Sequence, residues 1–180
     1  MSTELHYGPL DPHELTRVGE IDRTERIDAI YMQRGTRLEL QEGDWSSPPW
    51  DSEGDGEYSV AAVRAALEDW AARGATAQGA FEGDRLIGLG VVLPHLRPGV
   101  SQLAFLYVSD GDRGRGIGSR LARELEDLAR TAGDVAIVVS ATRSQNTVRF
   151  YRRRGFEPMA EPFAELHELE PEDVHMQKSL

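Results

Sequence analysis

At 180 residues, 39% of them apolar, the chain suits one sizeable α/β domain and is short for two; its lack of Cys excludes disulfides, thiolate metal sites and a cysteine nucleophile. A net charge of −11 argues against general nucleic-acid binding, because a polyanion would be repelled. Glu4, His6, Asp11, His13, Glu14 and Arg17 break up the first twenty residues and no apolar run could span a bilayer, so a cytoplasmic location without membrane contact is expected.

In chain order, Glu4 to Leu10 alternates weakly and suits a short strand. Asp11-Pro12 reads as a helix start, with Leu15, Val18 and Ile21 at spacings of three, so a helix over about Pro12 to Asp22 follows. Arg26 to Gln41 favours a hairpin turning at Arg34-Gly35. Gln41 to Glu57, rich in Gly, Pro, Ser and acidic residues, reads as a loop. Its Trp45 and Trp50, beside Asp44 and Asp51, either wall a cationic ligand or pin the loop to the domain, and the second role is the simpler. Ser59 caps a helix with Val60, Val63, Leu67 and Trp70 on one face, ending at Gly74. Thr76 to Phe81 and Arg85 to Leu93 form a hairpin about Glu82-Gly83-Asp84, and Pro94 to Gly99 reads as a loop.

The stretch Val100 to Ala132 holds an apolar strand, a glycine-rich turn and an amphipathic helix. Leu103 to Val108 suits a strand buried on both faces, and Ile117, Leu121, Leu125 and Leu128 stack on one helical face that stops at Gly133. Between them stand Asp112 to Ser119, with glycines at 114, 116 and 118. Glycines at a helix start let the backbone take positive φ and let an anion meet unpaired N–H groups and the positive end of the helix dipole. The charge pattern agrees: from Arg113 to Arg154 ten Arg face four acidic residues, a local net of +6 that leaves −17 elsewhere. The spacing lacks the Gly-Lys of a P-loop, and Ser119 and Ser140 stand where a dinucleotide fingerprint needs Gly and an acidic residue. A second strand, Val135 to Ser140, precedes a helical segment over Asn146 to Arg154. Phe163 to Leu169 and Val174 to Leu180 read as a last hairpin. The five His stand too far apart for a metal site, and none is expected.

Arg113-x-x-Gly116-x-Gly118 between strand and helix resembles the acetyl-CoA-binding motif of the GCN5-related N-acetyltransferases (GNAT). The run Phe150-Tyr151 followed by Gly155-Phe156 is similar to that family's FYxxxGF signature. The resemblance spans Ala75 to Phe156. It implies an α/β (α+β) fold: a mixed, mostly antiparallel sheet of six or seven strands with a splayed parallel pair in the middle and helices on both faces. A single domain over 1–180 is implied, with 1–60 as a variable acceptor-side region, 41–57 as its loop and 75–156 as the acetyl-CoA-binding core. The activity implied is direct N-acetyl transfer from acetyl-CoA to a primary amine of a small molecule, peptide or protein. A non-catalytic acyl-CoA-binding regulator is the alternative.

By the same resemblance, backbone groups of Leu106, Tyr107 and Val108 hold the pantetheine arm, with the Val108 amide as oxyanion donor. Arg113, Gly114, Arg115, Gly116, Ile117, Gly118 and Ser119 hold the pyrophosphate, Ser144 or Asn146 touches the cofactor, and Tyr151 is the general acid. Relatives often use a Glu on this strand as base, whereas here it offers only Gln102 and the second strand only Ser140, which leaves His95, Glu39 or a water relay. The excess acidity predicts a cationic amine acceptor meeting an acidic pocket built from the first 60 residues. No nucleic-acid or membrane partner is implied, and homodimerisation stays open.

Overall fold

The computed structural model describes residues 4–180. The elements run β1 (Leu5–Leu10), a 3₁₀ helix (Pro12–Glu20), β2 (Glu25–Arg34), β3 (Arg37–Ser47), α1 (Val60–Ala72), β4 (Thr76–Glu82), β5 (Arg85–Arg97) and β6 (Val100–Val108). After a 3₁₀ turn at Asp110–Asp112 come α2 (Ile117–Thr131), β7 (Ala136–Ala141), α3 (Gln145–Arg153), β8 (Glu157–Pro158), α4 (Ala164–Leu169) and β9 (Val174–Ser179). Seven strands form one sheet in the order β1-β4-β5-β6-β7-β9-β8, while β2 and β3 form a separate hairpin. Only the β6–β7 contact is parallel within that sheet.

The two faces of the sheet follow from the two-residue period of β5. Leu86 joins the 3₁₀ helix and α1 in a cluster with Leu15, Val18 and Leu67, whereas its neighbour Ile87 faces Ile117 and Leu121 of α2. Spacings of three place Leu15, Val18 and Ile21 in one row of a 3₁₀ helix, and all three are buried. Helix α2 lies low on the sheet because β5 presents Gly88 and Gly90 to it. A Cβ on Gly90 would come within 2.7 Å of Leu125 Cδ1, and one on Gly88 within 3.1 Å of Leu121 Cδ1. That close approach sets the start of α2 beside the end of β6.

The parallel pair separates as the resemblance implies. Residues Val100 to Gln102 pair with Ala136 to Val138, and from Leu103 onward β6 has no strand partner on that side among the described residues. A register shift in the β5–β6 ladder, between Phe105 and Leu103, puts Ala104 in a bulge that bends β6 away from β7. The β2–β3 hairpin closes over the far side of the gap, with the Tyr31 N–H donating to the Arg143 carbonyl at 2.8 Å.

Three sequence expectations are corrected. The segment from Gln41 is no loop until after Ser47: it is the second half of β3, paired from Ser47 with Glu25 to Arg34 with Arg37. Its polar composition suits an exposed edge strand, where charged side chains discourage further pairing. Pro94 does not end β5, because it falls in a register break between Leu93 and Arg97 that asks for no ladder N–H; the turn shrinks to Pro98-Gly99. Ala164 to Leu169 is helix α4 and not a strand, in keeping with its run of good helix formers, and β9 pairs with β7 and β8 instead.

Candidate active site

The glycine-rich turn is built for open backbone. Gly114 and Gly116 both have φ +79°, and an added Cβ at either would meet nothing within 4 Å, so conformation and outward access call for glycine there, with no contact inside the protein. Gly116 is the N-cap of α2, and the first intrahelical bond runs from the Arg120 N–H to the Gly116 carbonyl at 3.0 Å. The N–H groups of Ile117, Gly118 and Ser119 therefore point out of the helix end. They face a cleft of about 490 Å³ between α2 and α3, with Leu106 and Val108 of β6 in its wall.

The backbone of β6 can be assigned to its two sides. The Ser109 N–H donates to the Ile87 carbonyl at 2.8 Å, which makes those two a hydrogen-bonded pair. Alternation along an antiparallel ladder then turns the N–H and C=O of Val108 and of Leu106 toward the gap, and those of Tyr107 toward Leu89 of β5. The Val108 carbonyl already accepts from Arg113 Nε at 3.2 Å.

Of the residues singled out from sequence, the cleft gathers Leu106, Val108, Arg113, Gly114, Gly116, Ile117, Gly118, Ser119, Asn146 and Tyr151. Three fall outside its lining. Tyr107 faces the other side. Arg115 is spent on Asp112 and on Glu82 at 2.9 Å, and Asp112 is held in turn by Arg85 at 3.1 Å, so this charge braces the loop. Ser144 is buried as the N-cap of α3, accepting from the Thr147 N–H at 3.3 Å, while Asn146 reaches Glu25 Oε1 at 3.2 Å on the cleft wall. The sequence reading missed Arg149 and Arg153, which line the cleft and form no ion pair among the described residues. With Asn146 and Phe150 they make an i, i+3, i+4, i+7 face of α3, a signal the helix pattern carried.

A second cavity of about 330 Å³ opens on the other side of β6, between it and β7. Trp50, Tyr58, Trp70, Phe105 and Tyr107 wall it, and Glu57, Glu170 and Asp173 supply carboxyl groups. Arg23 lies within this wall, 94% buried by its 6% exposure, its guanidinium 4.7 Å from the Trp50 ring centre and 4.5 Å from that of Tyr58. Trp50 also meets Tyr107 edge-on at 5.6 Å. Burial pushes the Tyr107 phenol up, an effect that Arg23 partly offsets. Trp45, by contrast, lies on the exposed hairpin outside both cavities, as does Asp44, near Arg26 at 3.7 Å. Asp51 is occupied in its own turn, accepting from the Glu53 and Gly54 N–H groups. The acidic lining is thus Glu57 plus two residues from beyond position 169, and only in part from the first 60 residues.

Leu106 and Tyr151 line both spaces, so the two cavities meet there. Tyr151 is 4% exposed, its ring set edge-on between Phe150 at 5.1 Å and Phe156 at 5.3 Å. Burial, with the neighbouring Tyr107 second, holds its phenol well above the ordinary tyrosine range, and it has no hydrogen-bond partner among the described residues. The base candidates lie elsewhere. His95, at φ 55°, bonds Asp134 Oδ1 through Nδ1 at 2.8 Å at the far end of β5, and Glu39 pairs with Arg34 at 3.3 Å and Arg37 at 3.5 Å on the hairpin. No group of His, Asp or Glu among the described residues could hold a metal ion, and no helix there is long and apolar enough to cross a membrane.

Two cavities thus meet at Leu106 and Tyr151, beside parallel strands that part next to a helix N-terminus. The chain belongs to the acetyltransferase (GNAT) family, whose model matches residues 38–156. Among solved structures it is similar to nourseothricin acetyltransferase, at TM-score 0.71 and 16% identity over 97% of this chain and 98% of that one. It is similar also to the PaiA N-acetyltransferase of Thermoplasma acidophilum, solved with coenzyme A, at TM-score 0.64 and 17% identity over 98% and 99%. An aminoglycoside 6'-N-acetyltransferase solved with coenzyme A matches at TM-score 0.53 and 18% identity over 65% and 79%. No curated protein matches the chain in sequence.

Proposed function

We propose that this acetyltransferase uses acetyl-CoA bound in the larger cleft and delivers the acetyl group to a primary amine entering from the smaller cavity. The observation that carries the reading is the meeting of the two spaces at Leu106 and Tyr151. In this reading the N–H groups of Ile117 to Ser119 take the pyrophosphate, with Arg113, Arg149 and Arg153 adding charge. The free edge of β6 takes the pantetheine arm through Leu106 and Val108, and the Val108 N–H faces the developing oxyanion. Tyr151 stays protonated at neutral pH and gives its proton to the departing thiolate. The acceptor is cationic, because Glu57, Glu170 and Asp173 outnumber the single Arg23 in its cavity and aromatic faces favour an ammonium group. A single domain working in the cytoplasm belongs to the same reading. Thiol release from acetyl-CoA with a panel of amines and of uncharged or anionic nucleophiles tests it. Turnover is expected with cationic amines, and a preference for anionic acceptors would sink the assignment of the smaller cavity.

A further inference from the structure

Glu170 and Asp173 stand on the turn between α4 and β9, where the Asp173 N–H donates to the Glu170 carbonyl at 3.2 Å. The turn sets both residues in the wall of the smaller cavity, close enough for their carboxyl groups to act on each other. Two like charges so close cannot both ionise without cost, and the cheaper state keeps one proton between them and one net negative charge. Removal from water first, and the other carboxylate second, hold the half-buried Asp173 well above the usual carboxylate range, and partial desolvation raises Glu170 as well, although that residue stays exposed.

The surroundings do not neutralise the pair. Glu57 from the segment before α1 and Glu172 on the same turn add negative charge, while Arg143, which draws Asp173 partly back down, is itself paired with Glu172 at 3.1 Å. His175 of β9, which burial keeps toward its neutral form, meets the Glu170 carbonyl through Nε2 at 3.1 Å and not the carboxyl groups. Arg23 is stacked on Trp50 and Tyr58. No basic side chain among the described residues forms an ion pair with Glu170 or Asp173. A separate observation marks the same space as a ligand's: Tyr151, 4% exposed, lines the cavity with a hydroxyl that no described residue bonds.

We propose that Glu170 and Asp173 are the ammonium-binding group and the proton acceptor of the transfer, a role that rests on acetyl transfer occurring at Tyr151. The pair binds the acceptor as R–NH₃⁺, and in the form that has lost the shared proton one carboxylate takes a proton from the ammonium to leave R–NH₂. The nitrogen lone pair forms the C–N bond to the thioester carbon, and the C–S bond breaks with its electron pair going to sulfur. Tyr151 protonates the thiolate and regains a proton from the new amide nitrogen. The carboxyl pair returns its proton to solvent, so acetyl-CoA and R–NH₃⁺ give the amide, the thiol and one H⁺.

The experiment has three arms on wild type, Asp173→Asn, Glu170→Gln and the double amide variant. Carboxyl titration by ¹³C NMR should show, in wild type, one carboxyl titrating far above the usual range, which drops by at least about one pH unit when either partner becomes an amide. Thiol release with benzylamine, tyramine and cadaverine should give kcat/KM that rises with pH through the same value. That acid limb should move down in each single variant, and kcat/KM should fall by at least about 100-fold in the double variant. Acetyl-CoA affinity by calorimetry should stay unchanged throughout. Two ordinary carboxyl titrations in wild type, an acid limb the single variants leave in place, or acetyl-CoA binding with none of the amines turned over would each overturn the assignment. Loss of acetyl-CoA binding in wild type would instead strike the wider reading. If the double variant does not fold, the single variants and their pH limbs carry the test.

Discussion

The larger cleft is lined mainly by two short stretches of chain, around Asp112 to Ser119 and Asn146 to Arg153, with Leu106 and Val108 of β6. The smaller cavity takes side chains from widely separated places: Arg23, Trp50, Glu57 and Tyr58, one face of α1, β6, and the turn at Glu170 and Asp173. Backbone donors at a helix end suit a ligand part that never changes, such as a pyrophosphate, and they depend on conformation more than on side-chain identity. Side chains gathered from distant segments can be exchanged one at a time, which suits a site whose ligand differs between relatives. The two sides share only Leu106 and Tyr151, so a change on one should leave the other intact.

The strongest test of that independence is Gly116→Val. At φ +79° a β-branched residue is strained by roughly 1–2 kcal/mol, but its Cβ meets no protein atom, so the domain should stay folded. In the proposed site a valine side chain at this N-cap would crowd an anion held by the first-turn N–H groups. Losing two charge-assisted hydrogen bonds should weaken acetyl-CoA by at least about 100-fold. Binding of benzylammonium in the smaller cavity, followed by the carboxyl NMR signals, should be unchanged. Wild-type acetyl-CoA affinity by calorimetry in a folded Gly116→Val protein would remove the anion site from α2.

Tyr151→Phe attacks the shared wall. It keeps the ring between Phe150 and Phe156 and deletes a proton that no described residue uses. Turnover should fall by at least about tenfold, while acetyl-CoA affinity changes by less than about 1 kcal/mol. A variant turning over at the wild-type rate, with chemistry shown to limit, would leave this tyrosine as packing.

The contrast also explains what the sequence made legible. The larger cleft was readable because its groups are local: glycines at fixed offsets before an apolar helical period, and a tyrosine at a fixed distance from Gly155. Even there, side-chain direction was hidden. Arg115 counted toward the positive charge, but Glu82, thirty-three residues away, claims it. The smaller cavity was nearly invisible. Glu170-Pro171-Glu172-Asp173 read as an ordinary polar turn, and nothing local says that the turn closes a cavity against Trp50 and Tyr107. The β3 and Pro94 corrections have the same origin, since each depends on a partner strand that tolerates what composition discourages.

Smaller effects are expected of the two cleft arginines. Arg149 and Arg153 are exposed and unpaired among the described residues, and solvent screens such charges. Arg149→Ala and Arg153→Ala should each weaken acetyl-CoA a few-fold, with a loss that shrinks as salt rises. Losses that ignore ionic strength would mean that their stems, not their charges, touch the ligand.

The smallest effect on catalysis is expected at His95, whose removal separates a base from a brace. Its Nδ1 lies 2.8 Å from Asp134 Oδ1, and Asp134, 1% exposed at its side chain, also receives the Ser101 hydroxyl at 2.6 Å and the His95 N–H at 2.9 Å. Burial alone would raise the Asp134 carboxyl, but these hydrogen bonds outweigh it and hold the group below the ordinary aspartate value. A carboxyl depressed in this way contributes stability that is fully present above its unfolded value, near 4, and is lost as pH falls through the lower folded value. His95→Ala removes one of the three bonds, from an imidazole that is 62% exposed, so the cost should be about 1 kcal/mol at pH 7. By urea denaturation the gap between His95→Ala and wild type should narrow as pH drops below about 4. Turnover and the acid limb of kcat/KM should stay within about twofold of wild type, because His95 reaches neither cavity. An acid limb displaced by His95→Ala would return this residue to the base role and take it from Glu170 and Asp173.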